Sequence, residues 1–234
     1  MHHAKNHPQV HHRHPWIGGS LIAIALVSLL AMLHHPVAHG GGGTSHATAL
    51  AAIAKLASLV HGVLIALMVA GCMLLAEFAA LRVRRVALVR AGRQAYLMGT
   101  IALSGAALVN GFAVPALVTS SAADASGIDA ALALAWQLNQ ALAAAGSIGL
   151  AAGIGIWSFD LLRGNGPGRL VGGYGVLMAT GLILALAGGW LHLDVRGMLL
   201  TLVLLAAWQA AAGALLLRGD PADPPGAAAT GSRN

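Results

Sequence analysis

Charged side chains are scarce in this chain: Asp, Glu, Lys and Arg make up 9% of its 234 residues, against roughly 25% in soluble globular domains. That shortage excludes an ordinary water-soluble fold. Acidic residues are the scarcer sign, 7 against 13 Lys and Arg, for a net charge of +6. Excess positive charge can mark nucleic-acid binding. Here, however, the arginines flank apolar runs, where membrane topology accounts for them, and no nucleic-acid partner is expected. The single cysteine, Cys72, excludes an intrachain disulfide. Aromatics make up only 4%, whereas Gly and Ala are abundant, a composition that suits close helix approach in lipid. Catalytic signatures are also missing: there is no P-loop, no GxSxG, no HExxH and no pair of carboxylates placed for hydrolysis. No internal repeat supports a transporter built from inverted halves.

What the chain does have is long apolar runs. The stretch from His61 to Arg93 opens on a histidine, continues through nearly uncharged residues and closes on five arginines. At 1.5 Å per residue, 59–81 is long enough to cross about 30 Å of hydrocarbon. Lipid offers the backbone no hydrogen-bond partners, so such a run is helical by necessity. Runs of the same kind are expected at 16–33, 96–118, 130–157, 170–191 and 197–217. The first is longer than the ~7–15 apolar residues of a signal peptide and is read as a membrane helix. The expected fold is therefore an all-α integral membrane protein, a bundle of six transmembrane helices over 16–217.

The segments outside these runs are polar. Residues 1–15 hold six histidines with Lys5 and Arg13 and are expected to form a flexible tail; residues 218–234, rich in Pro, Gly and Ala, are expected to be disordered. Pro36 and four consecutive glycines make 34–46 a loop. Thr44 or Ser45 can cap a helix that starts near Ala47 and runs on into the second span. Loops are also expected over 82–93 and in FDLLRGNGPGR, and His192, Asp194 and Arg196 form a polar turn before the last span. With the amino terminus inside, every Lys and Arg except Lys55 and Arg196 falls on the cytoplasmic side. This positive-inside bias predicts an N-in/C-in protein of a bacterial inner membrane.

That topology collects the polar residues at one end. His34, His35, His39 and His46 fall in the first outer loop, His61 at the outer end of the second helix, and His192 and Asp194 at the outer end of the fifth. Asn110, Gln137, Asn139 and Gln140 fall in the outer half of the membrane. Polar groups at such depth face the bundle interior or a wet cavity, so a histidine-rimmed pocket open to the outer side is expected. Three carboxamides within four residues cannot all face one neighbour, however, so at least one of Gln137, Asn139 and Gln140 points elsewhere. Glu77 lies close to Arg82, where snorkelling or an ion pair satisfies it.

Imidazole is the commonest protein ligand of Zn and Cu. The leading expectation is binding or passage of a transition metal, Cu or Zn, or of another small solute. His61 and His192 are the candidate ligands, with His34, His35 and His39 as capture residues. Met68 and Cys72 share a helix stripe with His61 and extend it to a conceivable Cu(I) ladder, although both are ordinary packing residues. A second reading makes His61 and His192 the axial ligands of a haem b in an electron carrier. A third makes the chain an assembly factor. In that case Gly149 and Gly153, at GxxxG spacing, would dock a second copy or a partner membrane subunit.

Overall fold

The computed structural model describes residues 14–33, 46–120 and 125–218. They form helices α1 (Pro15–Leu33), α2 (His46–Arg82), α3 (Val86–Leu108), α4 (Val114–Ser120), α5 (Ala125–Leu161), α6 (Pro167–Ala187) and α7 (Val195–Arg218), with a π-helical turn at Val109–Ala113 joining α3 to α4. There is no strand among the described residues. Because α3, the π turn and α4 form one rod, six helices among the described residues are long and apolar enough to cross a membrane. Large apolar side chains cover the outside of the bundle: Met73, Leu134, Leu170 and Leu177 are all exposed. A surface of this kind suits a lipid bilayer, and the exposed Trp16 and Trp190 stand at helix ends, where an interfacial indole belongs.

Helix boundaries depart from the expected ones where charge or glycine suggested a loop. The connector expected over 82–93 shrinks to Val83–Arg85, and Val86 through Arg93 form the opening turns of α3, with Arg90 and Arg93 exposed. An arginine at a helix end sends its guanidinium to the polar interface while its stem covers apolar surface, so the helix need not stop for it. Likewise α5 continues to Leu161, well into the segment expected as a loop, and α6 starts at Pro167. Proline at the first helical position has no N–H to leave unpaired. Gly166, just before it, has φ 61°, a left-handed conformation that favours glycine. The helix expected to run from near Ala47 into the second span is observed: α2 is continuous for 37 residues, about 55 Å. The tail 1–13, the loop 34–45 and the tail 219–234 lie outside the described residues.

Glycine contacts set how the helices cross. The most extensive pair is α3 with α5, followed by α5 with α6 and α1 with α7. A methyl group at Gly149 would lie 2.7 Å from the Gly99 Cα, and one at Gly153 would lie 2.7 Å from the Tyr96 Cβ. The GxxxG stripe of α5 is therefore filled by α3 of the same chain. The terminal helices meet in the same way at Gly18 and Gly213, where an added Cβ on either would lie 2.6 Å from the other's carbonyl oxygen.

Four of the ten aromatics converge towards the arginine end of the bundle. Trp157 stacks between Tyr96 (centroids 5.5 Å apart) and Trp208 (6.5 Å), and Phe78 meets Trp208 edge-on at 5.7 Å. All four are buried, come from α2, α3, α5 and α7, and belong to one core cluster to which α1 and α6 also contribute. This packed group closes that end of the interior; at the opposite end, packing gives way to a cavity.

Candidate functional site

The cavity has a volume of about 270 Å³ and is bounded by α1, α2, α3, α5, α7 and the α6–α7 turn. Its body is apolar, with Leu64, Leu67, Met68, Leu103, Leu202 and Leu205 among the lining residues. Its polar lining includes His61, Asn110, Asn139, Gln140 and Asp194, joined by Ser28 and Gln209.

His61 owes its position to a proline on the neighbouring helix. Pro115 has no N–H, and in an unbroken α-helix its ring would clash with the carbonyl four residues earlier, that of Gly111. The chain widens to a π turn instead, and the N–H of Val114 reaches back to the Val109 carbonyl. The Gly111 carbonyl accepts a hydrogen bond from the Ser58 hydroxyl of α2 at 2.6 Å. Gly111 also has no side chain to obstruct α2: an added Cβ there would lie 2.7 Å from the His61 Cγ. The imidazole fits into that gap, 6% exposed. Its Nδ1 lies 2.8 Å from the Ala57 carbonyl oxygen, which can only accept, so Nδ1 carries the proton. In the neutral ring Nε2 is then an acceptor.

The other polar groups come from α5, the π turn and the α6–α7 turn. Gln140 donates from Nε2 to the Leu193 carbonyl at 3.2 Å, tying α5 to that turn. The next residue, Asp194, caps α7: its Oδ1 accepts the Gly197 N–H at 2.8 Å. At the deep side Gln209 donates to the Leu21 carbonyl at 3.0 Å and links α7 to α1. Asn110 and Asn139 differ from these. Both line the cavity, Asn139 is 6% exposed, and neither carboxamide has a hydrogen-bond partner among the described residues.

The remaining expected site residues do not join this group. His192 is exposed on the α6–α7 turn and is not among the lining residues, so the His61–His192 pair does not face one cavity. Gln137 is exposed, two residues and about 200° around α5 from Asn139. Met68 lines the cavity, but Cys72 packs against the core cluster, which breaks the sulfur stripe. Glu77 is exposed. His34, His35 and His39 lie outside the described residues, as does the side chain of His46. Among the described residues no group of three or more His, Cys, Asp or Glu is placed to hold a metal ion.

Two features went unrecognised in the sequence. Gln209 reaches the cavity from α7, 14 residues, about 21 Å, from Val195 and so near the middle of that helix. Asp160 sits in a segment read as a loop, yet it is 7% exposed and accepts the Arg84 backbone N–H at 2.7 Å. A lone acid beside an apolar run was the available signal. Comparison with protein-family models, with curated proteins and with solved structures finds no match to this chain.

Proposed function

We propose that this chain is a multi-pass protein of a bacterial inner membrane, with both termini inside, whose cavity binds a small neutral amphipathic solute from the periplasmic side. The observation that carries the reading is Asn139, a buried carboxamide that faces a cavity and has no protein partner among the described residues. A polar group in that position is satisfied by a ligand or by water. The volume, about 270 Å³, is near the lower end of the ~300–1,000 Å³ typical of ligand pockets. The ligand is thus small, with an apolar body against the leucines and a hydrogen-bonding head at His61, Asn110 and Asn139. Neutrality is supported by the described lining residues, which include no Lys, Arg or Glu and whose one acid, Asp194, has its charge set against the amino terminus of α7 by accepting the Gly197 N–H. The orientation rests on the distribution of arginines.

The transition-metal form of this reading needs donors beyond His61, and of the residues expected to supply them His34, His35 and His39 lie outside the described residues. The haem form lacks a second imidazole among the described lining residues. As an assembly factor the chain would need a docking stripe other than Gly149 and Gly153, which α3 occupies.

Mass spectrometry of extracts from the detergent-purified protein, together with elemental analysis and a visible spectrum, separates these readings. The expected result is one organic small molecule, no stoichiometric Cu or Zn and no Soret band. Stoichiometric metal or a Soret band overturns the solute reading. A variant sharpens the test: Asn139→Leu is expected to lose the molecule while keeping the melting temperature of the ligand-free wild type, because the carboxamide makes no hydrogen bond to the protein among the described residues. A melting temperature well below that of the ligand-free wild type would mean that the amide is structural.

A further inference from the structure

At the arginine end a second cavity, about 230 Å³, lies between the α2–α3 turn, the start of α6 and the end of α7. Arg82, Arg84 and Arg218 line it, against a single carboxylate among the described residues, Asp160. Asp160 is already engaged, accepting the Arg84 backbone N–H through Oδ2 at 2.7 Å, with its Oδ1 3.8 Å from the Arg85 Nε. Arg82 is anchored too, donating from Nη2 to the Leu215 carbonyl at 2.7 Å, which holds its guanidinium at the end of α7. The positive end of α6 points here as well: Gly166, its cap residue, has no side chain to satisfy the first turn, and Gly168 of that turn lines the cavity. Guanidiniums and a helix amino terminus both favour a tetrahedral oxyanion. Leu81, which lines it, is exposed, as are Leu170 and Leu217, each within two residues of a lining residue, so the cavity adjoins the face that suits lipid.

We propose that this cavity binds a phosphate group, either the head group of an anionic phospholipid with its chains along the exposed leucines or a free phosphate ion. The site is separate from the solute cavity, and its occupancy does not depend on what that cavity holds. Arg84 and Arg218 are exposed and supply the charge, Arg82 the fixed wall, and Gly168, in the first turn of α6, a backbone N–H.

Native mass spectrometry of the full chain, released from nanodiscs of mixed phosphatidylglycerol and phosphatidylcholine, tests the assignment alongside the double variant Arg84→Gln/Arg218→Gln. Thermal unfolding in zwitterionic detergent with millimolar inorganic phosphate tests the free ion. The wild type is expected to retain phosphatidylglycerol about tenfold over phosphatidylcholine, and the double variant, with an unchanged melting temperature in the absence of anion, to lose that preference. Stabilisation by inorganic phosphate, lost in the same variant, assigns the site to the free ion. Equal retention of the two lipids with no phosphate effect overturns the proposal. So does a preference that survives the double substitution.

Discussion

Replacing Gly99 by leucine is expected to leave no properly folded bundle. The α3–α5 crossing is the most extensive helix contact in the structure. A Cβ at Gly99 would lie 2.7 Å from both the Gly146 carbonyl oxygen and the Gly149 carbonyl carbon, and closer still to the Leu150 backbone nitrogen. These are backbone atoms of the partner helix, so no rotamer change relieves the clash. Overpacking typically costs about 1–3 kcal/mol where side chains can give way; with backbone on every side the cost is expected to exceed about 3 kcal/mol, a large part of a typical domain's stability. Gly181 is the control, since an added Cβ there meets nothing within 4 Å, and Gly181→Leu is expected to stay within about 0.5 kcal/mol of wild type. Size-exclusion profiles and melting curves in detergent read the difference. Wild-type behaviour of Gly99→Leu would place the α3–α5 crossing elsewhere and with it the cavity wall that both helices supply.

The second large effect is expected at Asp160. Its carboxylate is 7% exposed and pairs with the backbone of the α2–α3 turn. Asp160→Ala leaves the Arg84 N–H without its acceptor and removes a hydrogen bond to a charged group, a loss of about 2–3 kcal/mol. Asp160→Asn keeps an oxygen in place and is expected to lose about 1 kcal/mol. Unfolding in detergent measures the stability, and hydrogen exchange at the Arg84 amide locates the effect, since that amide should exchange faster in the alanine variant. Equal stability of Asp160→Ala and wild type would show that the turn is held by packing alone.

Long uncharged runs made the helices legible in the sequence, because lipid leaves the backbone no other way to satisfy itself. Helix ends were less legible. Arg90 and Arg93 read as loop residues, yet they occupy the first turns of α3, where long side chains reach the interface without breaking the helix. Of the residues expected around an outer pocket, His61, Asn110, Asn139, Gln140 and Asp194 line the cavity, and Gln137 and His192 are not among its lining residues. Depth along each helix followed from counting residues. Rotation about each axis did not, and it puts Gln137 outside while its near neighbours Asn139 and Gln140 face inward. His192 lies beyond the end of α6, so no helical period fixes its direction. The gap that receives His61 depends on a π turn induced by Pro115 on another helix, a pairing that no local pattern in α2 announces.

The central claim, a partly polar cavity reached by water inside an apolar bundle, is tested most directly by thiol modification of single-cysteine variants. With Cys72 replaced by alanine, Asn139→Cys places a thiol in the cavity and Leu138→Cys places one on the exposed apolar face. Aqueous methanethiosulfonates react with the thiolate, which forms only where water reaches the sulfur. The expected result is modification of Asn139→Cys by a membrane-impermeant reagent added to intact spheroplasts, with Leu138→Cys left unmodified. Failure of both to react would contradict a hydrated cavity at Asn139, and reaction of Asn139→Cys only in inverted vesicles would contradict its opening to the periplasm.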